Sequence, residues 1–146
     1  MFSEKEANFL RSERVARMAT IDPTTKIPHV VPVCFVFDGK DIYTSLYAGS
    51  KRLRNVENGS KVALLIDKYV EENNEWKVLS GLLIYGKIII LTFHRNEKEF
   101  MYGWKLLIQK YPQYKHWADS DLKPKDPDKR RIVRMRPSKI VRWGFS

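Results

Sequence analysis

The sequence predicts a mainly β fold of the α+β class, a small antiparallel barrel with helices at its ends. Several runs of β-branched and aromatic residues are separated by short turn signals, which is typical of strands joined by hairpins. Three segments carry helix spacing or capping signals, and no internal repeat is visible. The 146 residues suit a single domain, spanning positions 1–146, with one hydrophobic core.

The N-terminal segment predicts one helix, one strand and a turn. Ser3–Ser12 has the spacing of a short amphipathic helix, in which Ser3 and Glu6 form a capping box. Arg14–Ile21 follows as the first strand. Asp22–Lys26 has the sequence Asp-Pro-Thr-Thr-Lys, which favours a turn between that strand and the next.

The next segment predicts a β-hairpin. Its strands, Val30–Phe37 and Asp41–Leu46, are rich in β-branched and aromatic residues and are joined by an Asp-Gly pair at positions 38 and 39. Pro28 and Pro32 cannot donate to a hydrogen-bond ladder. One side of this strand must therefore be an edge, a bulge or the wall of a ligand site.

Two buried strands are expected in the middle of the chain. Ser60–Asp67 and Gly81–Thr92 are almost entirely apolar, and the acidic, Asn-rich segment Lys68–Lys77 predicts a connecting loop. Gly81–Thr92 is apolar on both faces, whereas a barrel strand has only one core face. A helix or a second subunit should therefore cover its outer face.

The C-terminal part predicts one long helix and a final strand. Asn96–Tyr111 carries an apolar stripe, with Asn96 and Glu99 as an N-terminal capping pair. Lys115–Lys129 predicts a charged loop. The last strand is expected in two pieces on either side of Pro137, from 131 to 135 and from 138 to 145.

The chain is basic, with 27 Lys and Arg against 17 Asp and Glu and a net charge of +10. Nine of the basic residues lie in Lys123–Arg142, opposed there by Asp126 and Asp128. Such a surface attracts anions of any kind, including nucleic acid. Prolines and aspartates interrupt the run and aromatics are not interleaved with it, so a solvated basic face or a phosphate-facing wall is favoured over nucleic-acid binding.

Several other function classes lack their sequence signals. The single cysteine, Cys34, lies in a predicted strand, forms no internal disulfide and suits a reducing cytoplasm. No apolar run reaches the roughly 20 residues that span a bilayer, and the N-terminus is no secretory signal. The three histidines are too dispersed to predict a metal site. Nucleophile-elbow, dinucleotide-binding and Walker sequences are missing.

The clearest functional signal is a predicted anion site after the hairpin. A short helix begins near Ser50 and ends at Asn58-Gly59. Its first turn offers free N–H groups, the Ser50 hydroxyl and the cations Lys51 and Arg52. The preceding strand supplies an apolar floor, so an extended organic molecule with a terminal phosphate suits this place.

These segments together resemble the pyridoxamine 5′-phosphate oxidase-like, flavin-binding split-barrel family. The resemblance rests on R-V-A-R-M-A-T-I-D-P, I-P-H-V-V-P-V-C-F-V-F-D-G-K-D-I-Y-T-S-L, S-K-R-L-R-N-V-E-N, K-V-A-L-L-I-D-K-Y and W-K-V-L-S-G-L-L-I-Y-G-K-I-I-I-L. It covers most of Arg11–Thr92, with a weaker similarity at Ile132–Trp143. The chain is most similar to a small archaeal and actinobacterial branch that includes deazaflavin-dependent members.

The resemblance implies a six-stranded antiparallel split β-barrel, a homodimer, and two flavins bound at the subunit interface. Lys51 and Arg52 would hold the flavin phosphate through charge-assisted hydrogen bonds. The other residues implied to contact flavin are the hydroxyl donors Ser50, Thr44 and Ser45, the ring and ribityl contacts His29, Val30, Val31, Pro32, Val33 and Tyr43, the closing residue Asn55, and Trp76 and Trp143 across the dimer.

The resemblance also has departures that bear on activity. The oxidase that forms pyridoxal phosphate carries a C-terminal R-x-H-D-R-type signature, whereas this chain ends R-M-R-P-S-K-I-V-R-W-G-F-S. That activity is therefore not expected. The deazaflavin branch usually has a K-P-K-like phosphate segment, and A-G-S-K-R stands here, which favours FMN over the deazaflavin coenzyme.

The predicted function is that of a cytoplasmic FMN-dependent oxidoreductase that transfers hydride or electrons to a small-molecule substrate not identifiable from sequence. A deazaflavin-dependent reductase and a non-catalytic flavin-binding or electron-carrier protein are the alternatives. No catalytic acid or base is identified, so water or the flavin itself would manage the protons. No membrane partner is expected.

Overall fold

The computed structural model describes residues 1–145, which form seven strands, three α-helices and two short 3₁₀ helices. The helices are α1 Glu4–Ser12, α2 Lys51–Glu57 and α3 Glu97–Lys110, and the 3₁₀ helices are Pro112–Trp117 and Pro127–Lys129. The strands are β1 Ala16–Ile21, β2 Pro28–Val33, β3 Val36–Phe37, β4 Ile42–Tyr47, β5 Ala63–Glu72, β6 Glu75–Leu91 and β7 Arg130–Trp143.

All the strands belong to one antiparallel sheet with the order β2-β1-β5-β6-β7-β4-β3. Its two end strands, β2 and β3, are consecutive in the chain and separated only by Cys34 and Phe35. The sheet must therefore curve until its ends almost meet, which makes it a barrel with an open seam. The predicted antiparallel barrel is confirmed, with seven strands where the resemblance implied six.

The additional strand arises because the predicted strand Val30–Phe37 is interrupted at Cys34 and Phe35. Its first half, β2, pairs with β1, and its second half, β3, pairs with β4. The predicted single hairpin is thus wrong for residues 30–33. Cys34 lies at this break and is half-buried, not in a strand.

Side chains satisfy the main chain at the break between β2 and β3. The Thr44 hydroxyl donates to the Cys34 carbonyl at 2.6 Å. The Tyr111 hydroxyl accepts from the Phe35 N–H at 3.0 Å and lies 2.8 Å from the Arg14 carbonyl. Residues 34 and 35 connect the two end strands of the sheet, and these side-chain hydrogen bonds replace the strand-to-strand hydrogen bonds that they lack.

The prolines of β2 lie where a sheet tolerates them. β2 is an end strand that pairs only with β1 among the described strands, so Pro28 and Pro32 sit on an edge. Of the three alternatives, an edge, a bulge or the wall of a ligand site, the structure confirms the edge.

The predicted loop Lys68–Lys77 is wrong, because β5 and β6 continue through it as a hairpin. Asn73 and Asn74 have φ of 54° and 64°, the left-handed backbone of a type I′ turn. The hairpin extends beyond the barrel as an arm, residues 69–79, with Tyr69, Trp76 and Leu79 exposed.

The barrel core lies between the sheet and α1, and a second cluster lies beneath α3. Leu82 and Ile84 of β6 point into the barrel core and are fully buried. Leu83 and Tyr85, on the opposite face of β6, retain solvent exposure. The predicted strand Gly81–Thr92 is confirmed as part of β6, which ends at Leu91, and α3 packs mainly on β3, β4 and β7.

A β-bulge interrupts β7 where the sequence predicted a break. Tyr85 pairs with Lys139 and Gly86 with Pro137, so Ser138 is the extra residue. A Cβ at Gly86 would lie 2.2 Å from the Arg136 carbonyl oxygen, so only glycine allows the strands to approach this closely.

The helix ends show one confirmed and one incorrect capping prediction. At α1, Ser3 Oγ accepts from the Glu6 N–H at 3.1 Å and Glu6 accepts from the Ser3 N–H at 2.8 Å, a complete capping box. At α3, Asn96 makes no side-chain cap to the helix and instead accepts from the Thr92 N–H at 3.2 Å. Within residues 1–145, no helix combines the length and apolarity that a bilayer crossing needs.

Candidate functional site

Ser50 begins α2, as predicted, and holds the turn that follows β4. Its backbone is extended, with φ −65° and ψ 150°, and its Oγ accepts from the Leu53 N–H at 3.4 Å. The Ser50 N–H donates to the Tyr47 carbonyl at 3.1 Å, and Gly49 allows the tight turn with φ 85°. The Ser50 hydroxyl is thus an acceptor to the helix and keeps its own proton for another partner.

Lys51 is ion-paired with Asp22, in the turn between β1 and β2. The Asp22 carboxylate also accepts from the N–H groups of Thr24 at 2.8 Å and Thr25 at 3.1 Å. The hydrogen bond from Lys51 is the main cause that lowers the pKa of Asp22 below its ordinary value. Sequence reasoning missed Asp22, because no local pattern links a turn to a helix 29 positions away.

Two polar atoms of the predicted phosphate set are buried without a hydrogen-bond partner. They are Ser45 Oγ, on β4, and Arg52 Nε, in the first turn of α2, and no other side-chain nitrogen or oxygen of the described residues shares this condition. Buried polar groups in folded proteins nearly always have a partner. Each of these groups, a hydroxyl and a guanidinium nitrogen, can donate a hydrogen bond to an anionic group such as a phosphate.

Thr44 and Asn55 make bonds within the protein. The Thr44 hydroxyl is committed to the Cys34 carbonyl across the seam. The Asn55 side-chain amide donates to Thr20 Oγ1 at 3.0 Å, in a buried contact that ties α2 to β1. Both side chains therefore shape the candidate site, and their best donors are already used.

The predicted ring contacts fall in two separate places. β2 carries His29 to Val33 along the free edge of the sheet, where Val30 is 61% exposed and Val33 is buried. Tyr43 instead lies beneath α3, where a Cβ at Gly103 would be 2.7 Å from its ring. Burial is the main cause that raises the pKa of Tyr43 to about 12. The structure does not bring Tyr43 to the β2 edge.

The two predicted tryptophans are also apart. Trp76 lies on the arm and is 68% exposed. Trp143 pairs with Gly81 across β6 and β7, and its ring covers that glycine, whose Cβ would lie 2.1 Å from Trp143 Cζ2. Trp76 belongs to β6 and Trp143 to β7, so neither lies on α2 or on the strands next to it in sequence.

The geometry described so far agrees with comparisons to known proteins. The sequence profile described as pyridoxamine 5′-phosphate oxidase matches residues 2–144. The chain therefore belongs to the pyridoxamine 5′-phosphate oxidase family, and its curved sheet is the split barrel of that family.

Individual relatives agree in length as well as in fold. A 5a,11a-dehydrotetracycline/5a,11a-dehydrooxytetracycline reductase of Streptomyces rimosus is 26% identical over 148 residues, which cover 99% of this chain and 84% of the reductase. A conserved hypothetical protein of Mycobacterium tuberculosis superposes with a TM-score of 0.72 at 21% identity, over 99% of this chain and 86% of that one. An F420 reductase superposes with a TM-score of 0.63 at 17% identity, over 96% and 98%. At these identities the superpositions establish the fold.

Proposed function

We propose that this protein is an oxidoreductase that binds a flavin with its phosphate at the start of α2. FMN is preferred to the deazaflavin coenzyme as that flavin. The observation that carries the proposal is the pair of buried, unpartnered atoms Ser45 Oγ and Arg52 Nε. Membership of a flavin-binding family and similarity to a named reductase support the redox chemistry. The bound flavin would supply hydride or electron transfer.

The residues around α2 have distinct tasks in this proposal. Arg52 and Ser45 would hold phosphate oxygens with the donors that now lack partners. Ser50 would add a third donor, since its hydroxyl proton is free. Lys51 would contribute charge, in competition with Asp22. The exposed edge at Val30 would offer the apolar surface on which a ring can lie.

We also propose that two copies associate through the outer face of the sheet. Leu83 pairs with Leu65 on one side and Val141 on the other, so three apolar side chains stand in one row across β5, β6 and β7. Val141 is 42% exposed and the neighbouring Tyr85 is 38% exposed. A second copy would cover this row. Light scattering after gel filtration tests it, and a monomer at micromolar concentration would contradict it.

Binding of FMN to charge variants tests the phosphate position. Charge-assisted hydrogen bonds contribute roughly 1.5–3 kcal/mol each, so Arg52→Ala should weaken FMN binding by roughly tenfold to a hundredfold. Lys51→Ala should have a smaller effect, because Lys51 must first release Asp22. Arg54→Ala is the matched control, since Arg54 is an exposed cation of the same helix.

Riboflavin, which lacks the phosphate, makes this experiment specific to the contact. Arg52→Ala should leave its affinity unchanged, which separates a lost phosphate contact from a damaged fold. Equal FMN affinity in the Arg52→Ala and Arg54→Ala variants would refute the proposed phosphate position.

The deazaflavin coenzyme is the second candidate, favoured by the likeness in fold to an F420 reductase. Titration of the purified protein with each cofactor, followed by fluorescence, decides between them. Turnover with the reduced cofactor and a panel of small-molecule acceptors then distinguishes an enzyme from an electron carrier, which would exchange electrons with its cofactor but release no reduced product.

A further inference from the structure

Arg130 is the most buried cation of the basic C-terminal region, and it is enclosed by aromatic rings. It begins β7 and is 6% exposed. Its Cζ lies 4.0 Å from the centre of the Tyr47 ring and 4.6 Å from the centre of the Trp117 ring. Rings at these distances cover the guanidinium by cation–π contact.

The charge of Arg130 has no carboxylate partner. Within residues 1–145, no Asp or Glu oxygen lies within 4.0 Å of its guanidinium. Its side chain makes one hydrogen bond, from Nη2 to the Tyr47 hydroxyl at 2.9 Å. A guanidinium has five N–H donors, so most of the donors of Arg130 remain available. Burial of a charge without a counter-ion is unfavourable, so a buried guanidinium of this kind indicates a place for a bound anion.

A cavity of about 220 Å³ opens beside this guanidinium. We call it the Arg130 pocket, and its lining residues are Tyr47, His116, Trp117, Lys125, Asp126, Lys129 and Arg130. Three of these side chains are cations and one is a carboxylate, so the lining carries a net positive charge. A water molecule occupies about 30 Å³ of liquid, so the cavity has room for an anionic group of several heavy atoms.

We propose that the Arg130 pocket binds a divalent oxyanion, either free phosphate or a phosphomonoester. The N–H donors of a guanidinium lie in one plane as a fork that can bind two oxygens of one phosphate, and Tyr47 uses only one of the donors of Arg130. Lys125 and Lys129 add the charge that favours a divalent anion over a monovalent one.

None of the residues assigned to the flavin phosphate, Ser45, Ser50, Lys51 and Arg52, lines the Arg130 pocket. The turn that follows Tyr47 leads to the start of α2, and it is fixed by the hydrogen bond from the Ala48 N–H to the Lys129 carbonyl at 2.9 Å. The proposal for Arg130 therefore does not rest on the proposed flavin site.

Isothermal titration with inorganic phosphate, at constant ionic strength adjusted with chloride, tests the proposal. The Arg52→Ala protein, in which the proposed flavin phosphate site has lost its guanidinium, should still bind one phosphate per chain, and the variants below are made in that background. The Lys125→Gln/Lys129→Gln variant should bind at least about tenfold more weakly, since two charge-assisted contacts are removed. Both lysines are exposed, so this variant should fold normally. Lys5→Gln/Lys61→Gln, which removes the same charge from other exposed positions, is the matched control and should bind as the Arg52→Ala protein does.

Arg130→Lys tests the guanidinium itself, because it keeps the charge and loses the paired donors. In the Arg52→Ala background it should weaken the remaining phosphate binding by about tenfold or more. Tighter binding of phenyl phosphate than of phosphate would identify a phosphomonoester as the ligand, and the reverse would identify the free anion. If the wild type binds no phosphate, if the control double variant loses as much affinity as Lys125→Gln/Lys129→Gln, or if Arg52→Ala abolishes binding, the Arg130 pocket is not an anion site.

Discussion

The contact between Gly81 and Trp143 predicts that Gly81→Ala lowers the free energy of unfolding in the wild type and raises it when Trp143 is replaced by alanine. A Cβ at Gly81 would lie 2.1 Å from Trp143 Cζ2 and 2.4 Å from Cε2, so Gly81→Ala must displace the indole ring. Overpacking of this kind costs about 1–3 kcal/mol. Alanine gains roughly 0.5–1 kcal/mol over glycine within a strand. The net expectation is a loss of stability of up to about 2.5 kcal/mol.

The same substitution should be stabilising once the ring is gone. In a Trp143→Ala background the three atoms nearest to this Cβ, all of the indole ring, are removed, so the strand preference of roughly 0.5–1 kcal/mol remains. The coupling energy between the two positions is then about 1–3 kcal/mol. Gly86→Ala is the control, because its Cβ would meet the Arg136 main chain and should destabilise both backgrounds equally.

Urea unfolding followed by circular dichroism measures all four proteins of this cycle. The midpoint should fall for Gly81→Ala in the wild type and rise for it in Trp143→Ala, with an unchanged dependence on denaturant. If Gly81→Ala has the same effect in both backgrounds, the ring does not occupy the position described and the reasoning is refuted.

Two further predictions concern the seam and the Lys51 ion pair. Thr44→Val should lower the free energy of unfolding by about 1–3 kcal/mol, because the Cys34 carbonyl loses its buried donor; an unchanged urea midpoint would contradict this. Asp22 has a lowered pKa, so its pair with Lys51 stabilises the fold above the ordinary carboxyl value of 3.8, and that contribution disappears as the pH falls through the lower folded-state pKa. The stability difference between wild type and Asp22→Asn should therefore be constant at neutral pH and shrink below about pH 4, and a difference that grows toward acid would oppose this assignment.

Features set by neighbours in sequence were predictable. The α1 capping box depends on Ser3 and Glu6, three positions apart, and is present as expected. Ser50 begins α2 as expected, and the Asp38 carboxylate closes the β3–β4 turn by accepting from the Asp41 N–H at 2.7 Å. In each case the interaction lies within one turn of the chain, so local residue type decides it.

Features set by distant partners were not predictable. Residues 30–37 are uniformly suited to a strand, and only the positions of β1 and β4 decide that the chain crosses the seam at Cys34. The arm was missed for a different reason. Its acidic residues favour a loop, but Asn73 and Asn74 tolerate the positive φ of a type I′ turn, which was the available signal.

The candidate site also has features that the local sequence predicts and features that only distant packing sets. The cations Lys51 and Arg52 were visible in sequence as the start of a helix. That Lys51 is held by Asp22, and that Arg52 keeps a buried donor without a partner, depends on the packing of α2 against the barrel. The rings of Tyr47 and Trp117 beside Arg130 come from β4 and from the 3₁₀ helix Pro112–Trp117, two segments far apart in the chain, so no local pattern could show them.

The place of β7 in the sheet order has a consequence for how the chain reaches its fold. β7 alone connects the four strands β2-β1-β5-β6 to the pair β4-β3. During synthesis the ribosome releases these two pieces long before the strand that unites them, so the barrel cannot close until residues 130–143 have emerged. Contacts that span so much of the chain slow folding. Nascent chains stalled before residue 130 should therefore leave the edges of β6 and β4 unpaired with β7.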